Sequence, residues 1–299
     1  MAEGGRGAPT RPSGSLGRYA LAVAITVGAI LSQYFVPELF PATGAIYGNL
    51  PGDLFVVYGI PTIAFLGLVG TAPIAHWATR MRVAVVEGLR WYGGLSLLGL
   101  VVVIGLAALY LLIDPSALGL VNRPNPALQQ ASANPWFFVG FSFVIGAFEE
   151  TIFRGWIFGY WRNRAASWVA PAVATSVLFA FVHLYYAATY LAAAPLFFPQ
   201  LFLLGFAFAA TYHYSGGNLV VVAVLHGVQD ATAFLTIVPG PAGALGLPLH
   251  YLVILVGGVV ALYVYAQRDN SHRSGPLQPI AGFGPPMDSS TPFPDARDD

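Results

Sequence analysis

The chain has 299 residues, 13 basic and 13 acidic side chains and no formal net charge; only 9% of residues are charged, against about 25% in an ordinary soluble domain. Hydrophobic residues make up 57%, which excludes a soluble enzyme and a disordered protein, and no basic face exists to neutralise the phosphates of a nucleic acid. The absence of cysteine removes disulfides, thiolate metal sites, a thiol nucleophile and lipidation of the chain's own cysteines.

Such a composition belongs in a bilayer, whose core of about 30 Å takes about 20 apolar helical residues. In chain order the stretches that meet this requirement are Tyr19–Val36, Leu54–Ile74, Trp91–Ile113, Trp136–Tyr160, Ser167–Tyr185, Leu196–Tyr214, Asn218–Val238 and Pro248–Gln267. The expected fold is therefore all-α, a polytopic membrane protein with a bundle of about eight transmembrane helices over residues 18–267. Residues 1–17, rich in Gly, Pro, Ser and Arg, and residues 268–299, rich in Pro, Ser, Asp and Gly, read as disordered tails. The first span is too long for a signal peptide and lacks a clean cleavage site, so it reads as a retained anchor. The link Ser215-Gly216-Gly217 is short enough to force a tight antiparallel hairpin between spans six and seven.

All the basic residues are arginine, and their distribution orients the bundle. With the N-terminus inside, the inner segments hold Arg6, Arg11, Arg18, Arg80, Arg82, Arg90, Arg162, Arg164, Arg268, Arg273 and Arg297, and the outer connections hold only Arg123. Both tails are expected in the cytoplasm, and the host is expected to be the plasma membrane. Trp91, Trp136, Trp161 and Trp168 fall near span ends, where amphipathic rings prefer the interface.

Ionisable groups at membrane depth are expensive and are usually kept for function. Span four carries Glu149, Glu150 and Arg154; span five carries His183; span seven carries His226 and Asp230. Lipid offers them no partner, so the three helices are expected to bring them together. Residues four apart share a helix face, which pairs Glu150 with Arg154 and His226 with Asp230. Glu149 is rotated about 100° from Glu150, making it the less neutralised acid and the one free for acid–base work. Asp230 is expected to orient the His226 imidazole or to share a ligand with it. Phe179, one turn before His183, is expected to pack beside the site.

These residues resemble the CPBP family, the CAAX proteases and bacteriocin-processing enzymes, which includes the type II CAAX prenyl endopeptidases. Its E-E-x-x-x-R motif stands here as Glu149-Glu150-Thr151-Ile152-Phe153-Arg154, its F-x-x-x-H as Phe179 to His183, and its H-x-x-x-N or H-x-x-x-D as His226 to Asp230. The motifs occur in order on separate expected spans, within about residues 136–238. The resemblance implies an intramembrane peptidase acting on a peptide or membrane-protein substrate near the cytoplasmic face. It implies that Glu149 activates water, Glu150 pairs with Arg154, His183 positions the water or acts as its second base, and His226 with residue 230 stabilises the oxyanion. Asp230 departs from the prenyl-endopeptidase form, which has Asn there, and an ionised Asp cannot donate to an oxyanion. Glu149, His183, His226 and Asp230 are also plausible ligands for Zn²⁺; a metal-free scheme stands beside that one. Two other functions compete, a non-catalytic membrane scaffold or immunity partner and an ion-coupled transporter, although no inverted repeat is detectable.

Overall fold

The structure, a computed structural model, describes residues 16–43, 46, 50–71, 85–113, 135–162, 164–183, 194–235 and 241–267. Among these the regular structure is helical throughout, with no strand. Helix α1 is Leu16–Leu39, followed by a 3₁₀ turn at Pro41–Thr43. Helix α2 covers residues 50–68 as Leu50–Leu54, a π-helical turn at Phe55–Gly59, and Ile60–Leu68. Helix α3 is Val85–Ile113. Helix α4 begins as Pro135–Glu150, runs on through a π-helical stretch at Thr151–Phe158, and ends with Gly159–Arg162. Then come α5 (Val169–Val182), α6 (Ala194–Tyr214), α7 (Leu219–Leu235) and α8 (Pro241–Ala266).

Every expected span falls on one of these helices, with ends displaced by a few residues. Helix α1 starts two residues inside the expected N-terminal tail, and α5 stops at Val182, with His183 as its C-cap rather than within it. Three helices among the described residues are long and apolar enough to cross a membrane: Leu16–Gln33, Gly88–Ile113 and Pro248–Ala266. Stretches Gly52–Leu68, Val169–Val182 and Leu219–Phe234 are apolar but shorter. Among the described residues, three of the eight expected crossings thus meet the requirement of length and composition, and α5 and α7 run up to residues outside the described set. The rest of both tails and the connections carrying Arg80, Arg82 and Arg123 lie outside the described residues.

Helix α4 occupies the centre. Residues 151–158 are all buried, the apolar ones among them by packing against neighbouring helices and Arg154 by pairing with Glu150. Tyr19 and Phe65 pack on it from α1 and α2, Phe179 from α5, and Tyr212 from α6. Phe65 stacks on Trp156 with ring centroids 5.0 Å apart, and Tyr19 stacks on Tyr160 at 3.8 Å. The Tyr19 hydroxyl donates to the Ile157 carbonyl at 3.0 Å, and Trp156 Nε1 donates to Gly70 O at 3.0 Å. By contrast, α3 and α8 show their large apolar side chains outward, among them Ile104, Leu112, Leu252 and Val259. Lipid is the environment those faces suit.

The expected hairpin between α6 and α7 is present. Gly216 and Gly217 take φ of +69° and +87°, a region closed to most side chains. Asn218 then caps α7, its Oδ1 accepting the Val221 N–H at 3.2 Å. The hairpin delivers α7 onto α4, and that packing is set by two glycines. A Cβ on Gly146 would lie 2.8 Å from Ala223 O, and one on Gly227 would lie 2.6 Å from the Phe143 ring. Small residues let membrane helices approach this closely, and here they bring His226 beside the paired acids.

Candidate active site

Glu150 and Arg154 pair along one face of α4 as their spacing predicts, with Nη1 to Oε1 at 2.9 Å and both side chains nearly inaccessible. Arg154 Nη2 also donates to Gly205 O at 3.0 Å. Its guanidinium carbon lies 4.5 Å from the Phe179 ring centroid and 5.2 Å from that of Phe208, so the charge is enclosed by a carboxylate, a carbonyl and two aromatic faces. Phe179 packs beside the site as expected, touching the His183 ring at 4.4 Å between centroids.

The same Glu150 oxygen lies 2.7 Å from His226 Nδ1. A carboxylate only accepts, so Nδ1–H donates to it and Nε2 turns toward Glu149. His183 is oriented similarly, its Nδ1 standing 2.7 Å from Phe179 O; a carbonyl also only accepts, so its Nε2 is likewise the outward nitrogen. Glu149 Oε2 lies 3.5 Å from His183 Nε2 and 3.7 Å from His226 Nε2. That oxygen is buried and has no hydrogen-bond partner, a costly state that a guest molecule relieves. The other Glu149 oxygen accepts the Tyr58 hydroxyl at 2.9 Å.

All six residues singled out in the sequence therefore meet in one place. Of the two roles expected of Asp230, orienting the His226 imidazole or sharing a ligand with it, the geometry bears on the first. Asp230 lies near His226, but at 3.5 Å and on the Nε2 side, while the close orienting contact at Nδ1 belongs to Glu150. Helical spacing puts residues 226 and 230 on one face; it does not choose the ring nitrogen, which the α4–α7 packing decides. Asp230 is also the most open member, its side chain 24% exposed against 9% for Glu149. Sequence reasoning missed Tyr58, whose only signal was a hydroxyl in an apolar stretch needing a partner.

Among the described residues, no group of three or more His, Asp and Glu side chains has the arrangement of a metal site. The donor types suit zinc. What these side chains bring together directly is a carboxylate oxygen and two imidazole nitrogens within 3.5 and 3.7 Å.

Residues 131–232 match the family model described as type II CAAX prenyl endopeptidase Rce1-like. The matched segment contains Glu149, Glu150, Arg154, His183, His226 and Asp230. No curated protein and no solved structure matches the chain. The match supports the CPBP, or CAAX-protease, family for this chain, and with the apolar helices it points to an integral membrane protease.

Proposed function

We propose that this chain is an intramembrane peptidase whose water is activated by Glu149. The observation that carries the reading is the unpartnered Glu149 Oε2 facing the Nε2 atoms of His183 and His226 inside a helical bundle. A water bound there gives one proton to Glu149 as its oxygen adds to the scissile carbonyl carbon. His183 holds the water in line. His226, with Nδ1–H committed to Glu150, offers Nε2 toward the developing oxyanion whenever that nitrogen carries a proton, an interaction worth most in a dry site. When the tetrahedral intermediate collapses, the C–N bond breaks and Glu149 returns its proton to the leaving amine. Asp230, at the open side, supplies negative charge beside His226 Nε2.

The substrates we propose are peptides or membrane-associated proteins, with prenylated CAAX termini first among the candidates because of the likeness over residues 131–232. We read the bundle as about eight spans in the plasma membrane, with the site nearer the cytoplasmic face. The test of function uses purified protein in liposomes and quenched peptides ending in farnesylated CAAX sequences, with unprenylated copies alongside. Wild type cleaves, and Glu149→Gln loses at least about 100-fold in rate while remaining folded. Cleavage unchanged in Glu149→Gln overturns Glu149 as the base, and absence of cleavage by the wild type overturns the peptidase reading and leaves a scaffold or a carrier.

Orientation has its own test, made clean by the absence of native cysteine. Cysteines placed in either tail resist an impermeant thiol reagent in intact cells, and one beside Arg123 is labelled. Labelled tails invert the topology.

A further inference from the structure

Glu149 has two oxygens in different situations, and the difference is made by a residue outside the family-matched segment. Tyr58 reaches across 91 positions of sequence to donate to Oε1 at 2.9 Å, which leaves Oε2 as the oxygen beside both histidines. The terminal torsion of a glutamate is broad and roughly two-fold. Without a fixed donor on one side, nothing in the carboxylate itself selects which oxygen faces the water.

The backbone around both partners is unusual in the same way. Tyr58 sits within the π-helical turn Phe55–Gly59 of α2, and Glu149 lies two residues before the π-helical stretch Thr151–Phe158 of α4. Such turns cluster at functional positions because the extra residue re-aims the side chains around it. In an unbroken α-helix a one-residue shift would turn residue 58 by about 100° about the axis, away from Glu149. The Tyr58 ring is braced by Phe148, with centroids 5.9 Å apart. It also walls a groove of about 270 Å³ between α2 and α4, together with Phe55, Phe141, Val144 and Ile145.

We propose that Tyr58 is a positioning residue for the reaction, its hydroxyl holding Glu149 Oε1 so that Oε2 is presented to water between His183 and His226. The inference rests on the peptidase reading above and adds to it a requirement from α2. Tyr58 touches neither the scissile bond nor the water. It acts through Glu149.

Tyr58→Phe separates this role from a structural one, since the ring, the groove wall and the contact with Phe148 all remain. Its kcat on the farnesylated peptide falls by about tenfold to a hundredfold, the scale of a misplaced reacting group, while KM stays within about twofold because the ground-state contacts are kept. Tyr58→Ala removes the wall as well, so its KM rises too. A thermal-melting cycle over wild type, Tyr58→Phe, Glu149→Leu and the double variant reads the bond, since leucine cannot accept it: the double variant loses less than the sum of the two single losses. Full kcat in Tyr58→Phe, with Glu149→Gln inert, sinks this inference and leaves the peptidase reading standing. An active Glu149→Gln sinks the base role of Glu149 and this role with it, and an inert wild type sinks the peptidase reading. Strictly additive melting losses show that the two side chains are not bonded, whatever the kinetics.

Discussion

Helix α7 buries polar groups against two neighbours, and the two clusters are built differently. Toward α4 it presents His226 and Asp230 to Glu149 and Glu150. Toward α3 and α8 it presents Gln229 and Thr232. There, Gln229 Nε2 donates to the Tyr92 hydroxyl at 2.9 Å, and Thr232 Oγ1 meets His250 Nδ1 at 2.9 Å while donating to Gln229 O. These groups answer each other one for one, apart from the hydroxyl of Ser96. On the α4 side, the carboxylates of Glu149 and Glu150 each keep one buried oxygen without a hydrogen-bond partner. An unmet hydroxyl is a modest penalty, but an unmet carboxylate oxygen in apolar surroundings is a large one. The contrast separates polar contacts that join helices from polar groups gathered around a carboxylate that faces two imidazoles.

The largest effects are expected where the two acids of α4 are exchanged for amides one at a time. Glu149→Gln removes the proton acceptor and abolishes turnover, with little change in melting. Glu150→Gln leaves Arg154 enclosed without its counter-charge, and breaking a truly buried pair costs about 3–5 kcal/mol. It also weakens the hold on His226 Nδ1, so activity falls along with stability. Turnover and detergent melting curves, read side by side, check the assignment. Equal destabilisation by both substitutions breaks the division of labour between the two acids.

A smaller effect is expected at Asp230, at the open rim of the charged cluster. Since Glu150 already orients the imidazole, the charge of Asp230 modulates Nε2 and does not hold the ring. Asp230→Asn keeps measurable activity, and the new amide donates hydrogen bonds near the oxyanion. Asp230→Ala keeps less, having neither charge nor donor. Assays with and without a chelator sharpen the comparison. Partial rescue of the Asn variant by added Zn²⁺ makes Asp230 a metal ligand, while full activity of the Ala variant takes Asp230 out of the site.

How much of this was legible in the sequence depends on the range of each contact. The Glu150–Arg154 pair was readable because four residues of helix fix it locally. Which residues would gather was readable from the cost of charge in lipid. The bond from His226 to Glu150 was not, because it depends on the close approach that Gly146 and Gly227 permit between helices 76 positions apart at the contact. Tyr58 was silent for a related reason: its reach depends on a π-helical turn that no spacing rule announces. The glycine hairpin after Tyr214 was plain, since its shortness leaves the chain one course. The count of eight crossings rests on apolar length alone, and among the described residues three helices meet that requirement.

The smallest expected effect belongs to the neutral cluster, and it tests the comparison from its bland side. Tyr92→Phe removes the acceptor of Gln229 Nε2 without changing shape. Interhelical hydrogen bonds of this kind in membrane proteins average about 0.6 kcal/mol and reach about 1.7. A slight fall in melting temperature is therefore expected, with turnover unchanged. Adding Gln229→Leu removes the unmatched amide as well, and replacing both partners of a bond by apolar groups can be nearly neutral, so the double variant recovers stability relative to Tyr92→Phe. A joining contact behaves this way because its groups matter only to one another. If Tyr92→Phe instead lowers kcat as Tyr58→Phe is expected to do, the neutral face of α7 takes part in the reaction, and the site extends through the helix to α3.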